Sequence, residues 1–317
     1  MASSGSYNFS VTAADIVKTA LQHISAIGDG DTPSTTQYSE GILLLNMLIK
    51  LREKDGMPVW GLKRGYILPF TGTAAINTDS HVVTSYAQTT TSAAAASGAS
   101  SVTLTSATGI STGDHIGIWQ DDSTVLWTTV TMSGTTATLA NVTTDTVTSG
   151  NYVYAYTATN RIQKPLRITG ANMMDLASST SWEITQDSRE DYFRLSNRSQ
   201  TGVPNQFYYD LAPSDETQVD TNGTIYVYPI FNVQSQLIEF NYVRPFQDID
   251  TQTDTFDFPQ PFYLPIMIEL ASLLGPKNGV DIKERQALKQ EAQMYLEEAL
   301  ETVYPEGSLF LQPDYIG

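Results

Sequence analysis

His23, His81 and His115 are the only imidazoles in the chain, and none has the spacing of an acid–base or metal centre. A zinc protease needs His-Glu-x-x-His, which sets two imidazoles on one helical face. His23 instead falls within an amphipathic helical pattern, and His115 follows Gly113-Asp114 at the start of a strand-like run. A packed or surface role is expected for the first and a turn role for the second. Two carboxylate pairs, Asp121-Asp122 and Glu190-Asp191, come nearest to a glycosidase pair, in which two carboxyls flank the scissile bond. Neighbours on a strand point to opposite faces, so Asp121-Asp122 reads as a polar hairpin turn. Glu190-Asp191 fits the first turn of a helix, where the dipole favours negative charge. There is no Gly-x-Ser-x-Gly elbow, no phosphate-cradling glycine loop and no dinucleotide fingerprint. We therefore expect no catalytic residue, no metal site and no cofactor.

Contact chemistry is easier to find. Arg189, Arg194 and Arg198 are interleaved with Tyr192 and Phe193, a layout that suits nucleic acid or a neighbouring subunit. A weaker basic group, Lys50, Arg52 and Lys54 followed by Lys63 and Arg64, reads as a solvated helix end beside a favourable dipole. The chain carries a formal charge of −17 and a pI near 4.4. Affinity for DNA phosphates comes from Lys and Arg displacing counterions. We therefore assign Arg189, Tyr192, Phe193, Arg194 and Arg198 to a subunit interface. The C-terminal stretch holds Leu309, Phe310, Leu311, Tyr315 and Ile316 in a segment too short to bury them alone. Such a segment docks on a partner surface, as an added strand or in a groove.

The elements that carry these residues follow from periodicity. Thr12 with Asp15 three residues later makes an acidic cap, and Ile16, Ala20, Ile24 and Ile27 share a face of a first helix ended by Gly28-Asp29-Gly30-Asp31. A second helix is expected from Gln37 to Lys54, with Leu44, Leu45, Leu48 and Leu51 on its apolar face and Gly56 as its stop. Arg64 to Pro69 reads as a strand. No Lys or Arg occurs between Arg64 and Arg161, where Ser, Thr, Ala and Gly dominate. Ala93 to Ser101 reads as an exposed small-residue linker. Beyond it, period-two runs at Val102–Leu104, Ile116–Trp119, Leu126–Met132, Thr136–Leu139 and Tyr152–Tyr156 predict a small β-barrel or sandwich, with turns at Ser133-Gly134 and Ser149-Gly150. Gln236 to Val243 is a further strand. Helices are expected from Leu264 to Leu274, where Pro265 confines the start, and from Ile282 to Val303.

At 317 residues the chain is long enough for about two domains. Charged residues make up 16%, below the usual quarter or so. With no cysteine, there is neither a disulfide framework nor a thiolate metal site. Met1 to Ser10 has no basic region or hydrophobic run of a secretion signal. The longest apolar run, Ile42 to Ile49, is too short to span a bilayer. A soluble protein is expected.

Between Ile184 and Pro259 a set of short motifs recurs in order. Ser188-Arg189-Glu190-Asp191-Tyr192-Phe193 opens a short helix, and Gly202-Val203-Pro204-Asn205-Gln206-Phe207-Tyr208-Tyr209-Asp210 makes one aromatic strand. Asn222-Gly223-Thr224-Ile225-Tyr226-Val227-Tyr228-Pro229 makes a second, and Asp257-Phe258-Pro259-Gln260 leads into the late helices. With Leu45, Asn46 and Leu48, then Asp55, Gly56 and Trp60, these motifs resemble the head-to-tail adaptor family of short-tailed bacteriophages. Its members are also known as tail accessory, packaged-DNA stabilisation or tail tubular proteins. The resemblance implies an α+β fold in which a helical bundle from the N- and C-terminal helices packs with a small antiparallel β-region. An all-β barrel or sandwich module is inserted in it. Residues 1–85 and 160–317 would form the adaptor core and 86–159 the Thr/Ser-rich module. It further implies a structural virion protein of the tail or neck, assembled in the host cytoplasm. Twelve copies would form the ring between the portal and the distal tail nozzle or fibre proteins, and DNA would pass through the lumen without sequence-specific binding. Two other readings stay open. One is a receptor- or glycan-binding tail appendage that uses Trp119, Trp127 and Tyr154 as stacking platforms; the other is a tail-associated muramidase.

Overall fold

The structure is a computed structural model, and it describes residues 9–53, 61–162, 164–211 and 222–301. The fold is mixed α+β. Five helices lie among the described residues: α1 (Ala13–His23), α2 (Thr35–Arg52), α3 (Arg189–Phe193), α4 (Tyr263–Leu274) and α5 (Ile282–Glu301). Contacts divide the chain into two compact units, one of residues 1–61 with 245–317 and the other of residues 62–244.

The first unit is built on α1, α2, α4 and α5. Thr12 and Asp15 form the expected capping box on α1, and Ser34 with Gln37 forms a second one on α2. α1 stops at His23, short of the expected Ile27, because Ser25 turns into the left-handed region at φ 56°. α2 starts at Thr35, earlier than expected, since the Ser34 cap precedes Gln37. A 3-10 turn at Gln260–Phe262 feeds α4, and Pro265 sits in the first turn of that helix, where a missing N–H costs nothing. The four helices share one apolar core, with Val17, Leu21, Leu45, Leu48, Phe262 and Leu270 buried in it. Polar side chains of α2 pin the segment that returns from the second unit. The Asn46 side chain donates Nδ2 to the Ile249 carbonyl at 2.9 Å and accepts the Ile249 N–H at 2.9 Å. Glu53 accepts the Phe246 N–H at 2.8 Å.

The second unit is mostly sheet. Its strands run β1 (Leu62–Ile67), β2 (Ala75–Asn77), β3 (Val82–Val83), β4 (Ala87–Thr90), β5 (Ser101–Thr103), β6 (His115–Trp119), β7 (Val125–Ser133), β8 (Thr136–Leu139) and β9 (Tyr152–Tyr156). They continue as β10 (Arg167–Asp175), β11 (Thr180–Gln186), β12 (Thr201–Gly202), β13 (Gln206–Asp210), β14 (Thr224–Tyr228), β15 (Ile230–Phe231) and β16 (Gln236–Val243). Eight of them form one large, nearly closed sheet in the order β2-β14-β13-β11-β10-β16-β1-β3. This region is larger than the small β-region expected. It is also not wholly antiparallel, because β11 and β13 pair in parallel. Parallel neighbours need a crossover, and the segment carrying α3 supplies it. Six strands make the second sheet in the order β4-β9-β6-β7-β8-β5. Thr91 and Leu104, just beyond β4 and β5, bridge its two edges.

The segment read as a linker, 93–101, is largely exposed but stitched down. Ala95 bridges Val147, and the Gly98 N–H reaches the Thr143 carbonyl at 2.8 Å. The division expected at 86 and 159 falls inside the second unit, where Tyr154 and Tyr156 share a core with Leu68, Val83 and Leu237.

Candidate interaction surface

α3 is short, and its position is set from both ends. Ser188 caps it by accepting the Asp191 N–H at 3.2 Å, and Tyr192 at its far end is buried. Tyr192 lands on the cross-strand pair Tyr208 and Tyr226, whose rings stack 5.7 Å apart at 19°. The centroid of Tyr192 lies 5.3 Å from that of Tyr226. Phe193 meets the same two tyrosines edge-on and stays 41% exposed. Arg198 stands 5.0 Å above the Phe193 centroid and Arg189 5.9 Å from it. Among the described residues neither guanidinium lies within ion-pair distance of a carboxylate. Arg194 differs, since it turns back toward Asp191 and Glu190, 3.7 and 4.0 Å away. The structure thus brings Arg189, Tyr192, Phe193 and Arg198 into one shelf and sets Arg194 at its margin. Burial raises the Tyr192 phenol pKa, with the nearby Arg198 opposing. Among the described residues the Tyr192 hydroxyl meets no hydrogen-bond partner.

Such a shelf can stack flat or edge-on groups and attract anions through the guanidiniums of Arg189 and Arg198. The sequence pointed to it through the Arg and aromatic interleaving. The contribution of Tyr208 and Tyr226 depends on strand register and was missed.

The other candidate residues have different fates. Asp121 accepts from Asn151 Nδ2 (2.8 Å), Thr146 Oγ1 (2.8 Å), Thr148 Oγ1 (2.9 Å) and the Thr148 N–H (3.1 Å). These donors hold its carboxyl down at about 2. Asp122 accepts the Thr124 N–H and hydroxyl. Both therefore tie turns together. Asp191 Oδ2 accepts from the Ser188 hydroxyl at 2.6 Å, and Glu190 is exposed.

Partial burial works against the Lys50 charge, but Asp248 and Glu53 outweigh it and raise its pKa. Lys50 Nζ also donates to the Phe246 carbonyl at 2.6 Å. Arg52 grips the buried Glu269 with two contacts, of 2.9 and 2.6 Å, and Arg64 pairs with Glu239 at 3.1 Å. These bases serve the fold. Lys54, Leu309, Phe310, Leu311, Tyr315 and Ile316 lie outside the described residues.

His23 is exposed at the end of α1. His115 Nε2 lies 2.8 Å from Arg161 NH2, and its ring stacks on Tyr156 at 5.1 Å. His81 stacks on Trp127 at 4.0 Å and 16°. Trp119 and Tyr154 are buried, and Trp127 is anchored through its indole N–H to the Pro69 carbonyl at 3.0 Å. Among the described residues no group of three or more His, Asp or Glu is placed to hold a metal ion. No helix among them is long and apolar enough to cross a membrane. No protein-family model matches the chain, and no curated protein matches it in sequence.

Proposed function

We propose that the chain is a virion structural protein that assembles as a ring, a dodecamer by its resemblance, between the portal and the distal tail nozzle or fibres. Its work is assembly rather than turnover. The ring extends the DNA channel and helps retain packaged DNA, with the acidic excess keeping the wall unattractive to phosphates. On this reading α1, α2, α4 and α5 serve as the helical bundle of an adaptor core, and β4 to β9 as its inserted module.

The observation that carries the proposal is the shelf at α3. Two guanidiniums, with no carboxylate in ion-pair reach among the described residues, flank an exposed phenylalanine on a chain whose formal charge is −17. The partner such a surface selects is acidic, and another copy of this chain is strongly acidic. One candidate face is the loop at 247–258, where Asp248, Asp250, Asp254 and Asp257 line a cleft. A shelf that meets a different face of the next copy makes a heterologous contact, and such contacts close into rings when the rotation allows.

Mass photometry of the purified chain, alone and with portal rings of the same phage, tests this. We expect a monomer alone and about twelve added copies on the portal. Arg189→Glu with Arg198→Glu should weaken that addition at least about tenfold, because like charges then face each other. Raising salt from about 0.05 to 0.3 M should weaken the unsubstituted chain in the same direction. A compact trimer that ignores the portal would sink the ring and favour a tail appendage.

A further inference from the structure

We infer that the groove between α2, α4 and α5 receives the outer face of α5 from a second copy of this chain, with Met294 as the side chain that enters it. The groove has a volume of about 490 Å³ and carries Met47, Leu51, Leu273 and Ile282 along its sides. All four are exposed, between 42% and 61%, beside a well-formed core. Leu43, one turn before Met47 on α2, is exposed too and lengthens the apolar strip. So much exposed apolar surface around one concavity marks a docking site, and an amphipathic helix face is a shape such a groove takes. At its floor the Glu269 carboxylate is neutralised by Arg52. The charges left at the rim, both on α5, are Lys289 and Arg285, which gives Nε to the Ser272 carbonyl at 3.3 Å. Among the described residues neither has a carboxylate within ion-pair distance. The groove is thus apolar with a cationic rim, and it selects an apolar side chain with an acidic surround.

α5 itself carries that chemistry on another of its faces. Its first half, 282–290, holds Lys283, Arg285 and Lys289 against Glu284 alone. Its second half, 291–301, holds Glu291, Glu297, Glu298 and Glu301 and no Lys or Arg. Glu291, Met294, Glu298 and Glu301 are spaced three or four residues apart and so share one face. Met294, at the middle of it, is 56% exposed. Among the described residues none of these three carboxylates has a base within ion-pair distance. A flexible thioether fits irregular apolar gaps well. No copy can fill its own groove in this way. Met294 lies five residues beyond Lys289, so at about 100° per residue it points roughly 140° away from the rim. The two faces therefore meet only between copies, head to tail, with each copy giving its acidic face to one neighbour and its groove to the other. The contact is small, at the low end of specific interfaces. It is weak between free copies and strengthens where neighbours are held side by side, because their effective concentration is then high. In needing such neighbours the inference rests on the ring reading, to which it adds a pair of faces that does not involve α3.

The chain has no cysteine, so engineered thiols are the only ones present. Full chains carrying Met294→Cys are mixed at high concentration with differently tagged full chains carrying Met47→Cys, Leu51→Cys or Leu273→Cys, and then oxidised. At least one mixture should give a disulfide-linked pair of unlike chains. A control chain with the exposed Ser178→Cys in place of the groove cysteine should not. Adding Lys289→Glu to the groove chain should slow the bridging at least about tenfold, and Glu298→Lys in the Met294→Cys chain should restore it, because the charges are then exchanged rather than lost. No unlike pair from any of the three mixtures would overturn the inference. Met47→Cys chains that bridge to one another instead would also overturn it, by giving the groove to a two-fold pairing of α2. A bridging rate indifferent to both charge changes would do the same. The portal takes no part in this readout. Chains that bridge as expected but add no copies to the portal would sink the ring alone, and chains that join the portal but never bridge would sink this contact alone.

Discussion

His81 packs flat on Trp127, and its Nδ1 lies 3.1 Å from the Tyr156 hydroxyl. Burial first, then the nearby His115 and Arg161, lower its pKa to about 3, against 6.5 for the free side chain. At pH 7 both folded and unfolded chains carry it neutral. Between about 6.5 and 3 the unfolded chain binds a proton that the folded chain does not, so stability rises with pH across that window. It is fully present above about 6.5 and is lost as pH falls toward 3. We expect the urea midpoint followed by tryptophan fluorescence, with Trp119, Trp127 and Trp182 reporting on the second unit, to drop from pH 7 to pH 4.5. The variant His81→Asn accepts the observed φ of 51° and should flatten that slope. An unchanged slope would assign the effect to another group. None of this was legible in the sequence, where His81, Trp127 and Tyr156 are far apart and belong to no motif. By contrast, the arginines and aromatics at α3 lie within ten residues of one another, and there a local pattern was enough.

Helices and strands were legible where a local rule sets them. The Thr12–Asp15 capping box could be read directly, and the period-two runs that became β6 to β9 were visible as alternation. α2 shows the opposite case. Its run Ile42 to Ile49 is apolar on every side except at Asn46, which signals covering on more than one side. The expected face of Leu44, Leu45, Leu48 and Leu51 mixed residues that the structure separates: Leu45, Leu48 and Ile49 enter the core, and Leu51 stays exposed. The large sheet was hidden because it joins strands from 62–83 with strands from 167–243, and pairing over such distances leaves no local signature.

The close approach of α1 and α2 rests on Gly41, where an added Cβ would come within 2.5 Å of Val17 Cγ1. On an exposed helix Gly→Ala stabilises by about 1 kcal/mol. Here Gly41→Ala should destabilise by about 1–3 kcal/mol through overpacking. Adding Val17→Ala should recover part of the loss in a double-mutant cycle read by denaturant midpoints. Additive effects would mean that the two side chains are not coupled.

At the scale of the molecule, the chain leaves the first unit at Gly61 and re-enters it at Pro245. Length alone suggested about two domains, and the contact boundary at 61 and 245 follows which strands share a core rather than a change in residue type. The core of the first unit needs residues from both ends of that excursion. Val17, Leu21 and Leu48 pack with Phe246, Phe262 and Leu270, all in one cluster. α1, at 11 residues, is marginal in isolation, and the longer α2 also draws most of its stability from such packing. During synthesis they must therefore wait for the whole of 62–244 to leave the ribosome. At about 5–20 residues per second that delay is on the order of 10–40 s. Nascent chains stalled after Arg244 should show protease-resistant 62–244 while α1 and α2 are still cut. Protection of α1 and α2 at that stage would mean that they find another cover first. The order of emergence thus makes the β-rich unit the first to finish and leaves its earliest-made neighbours as clients for a holding chaperone.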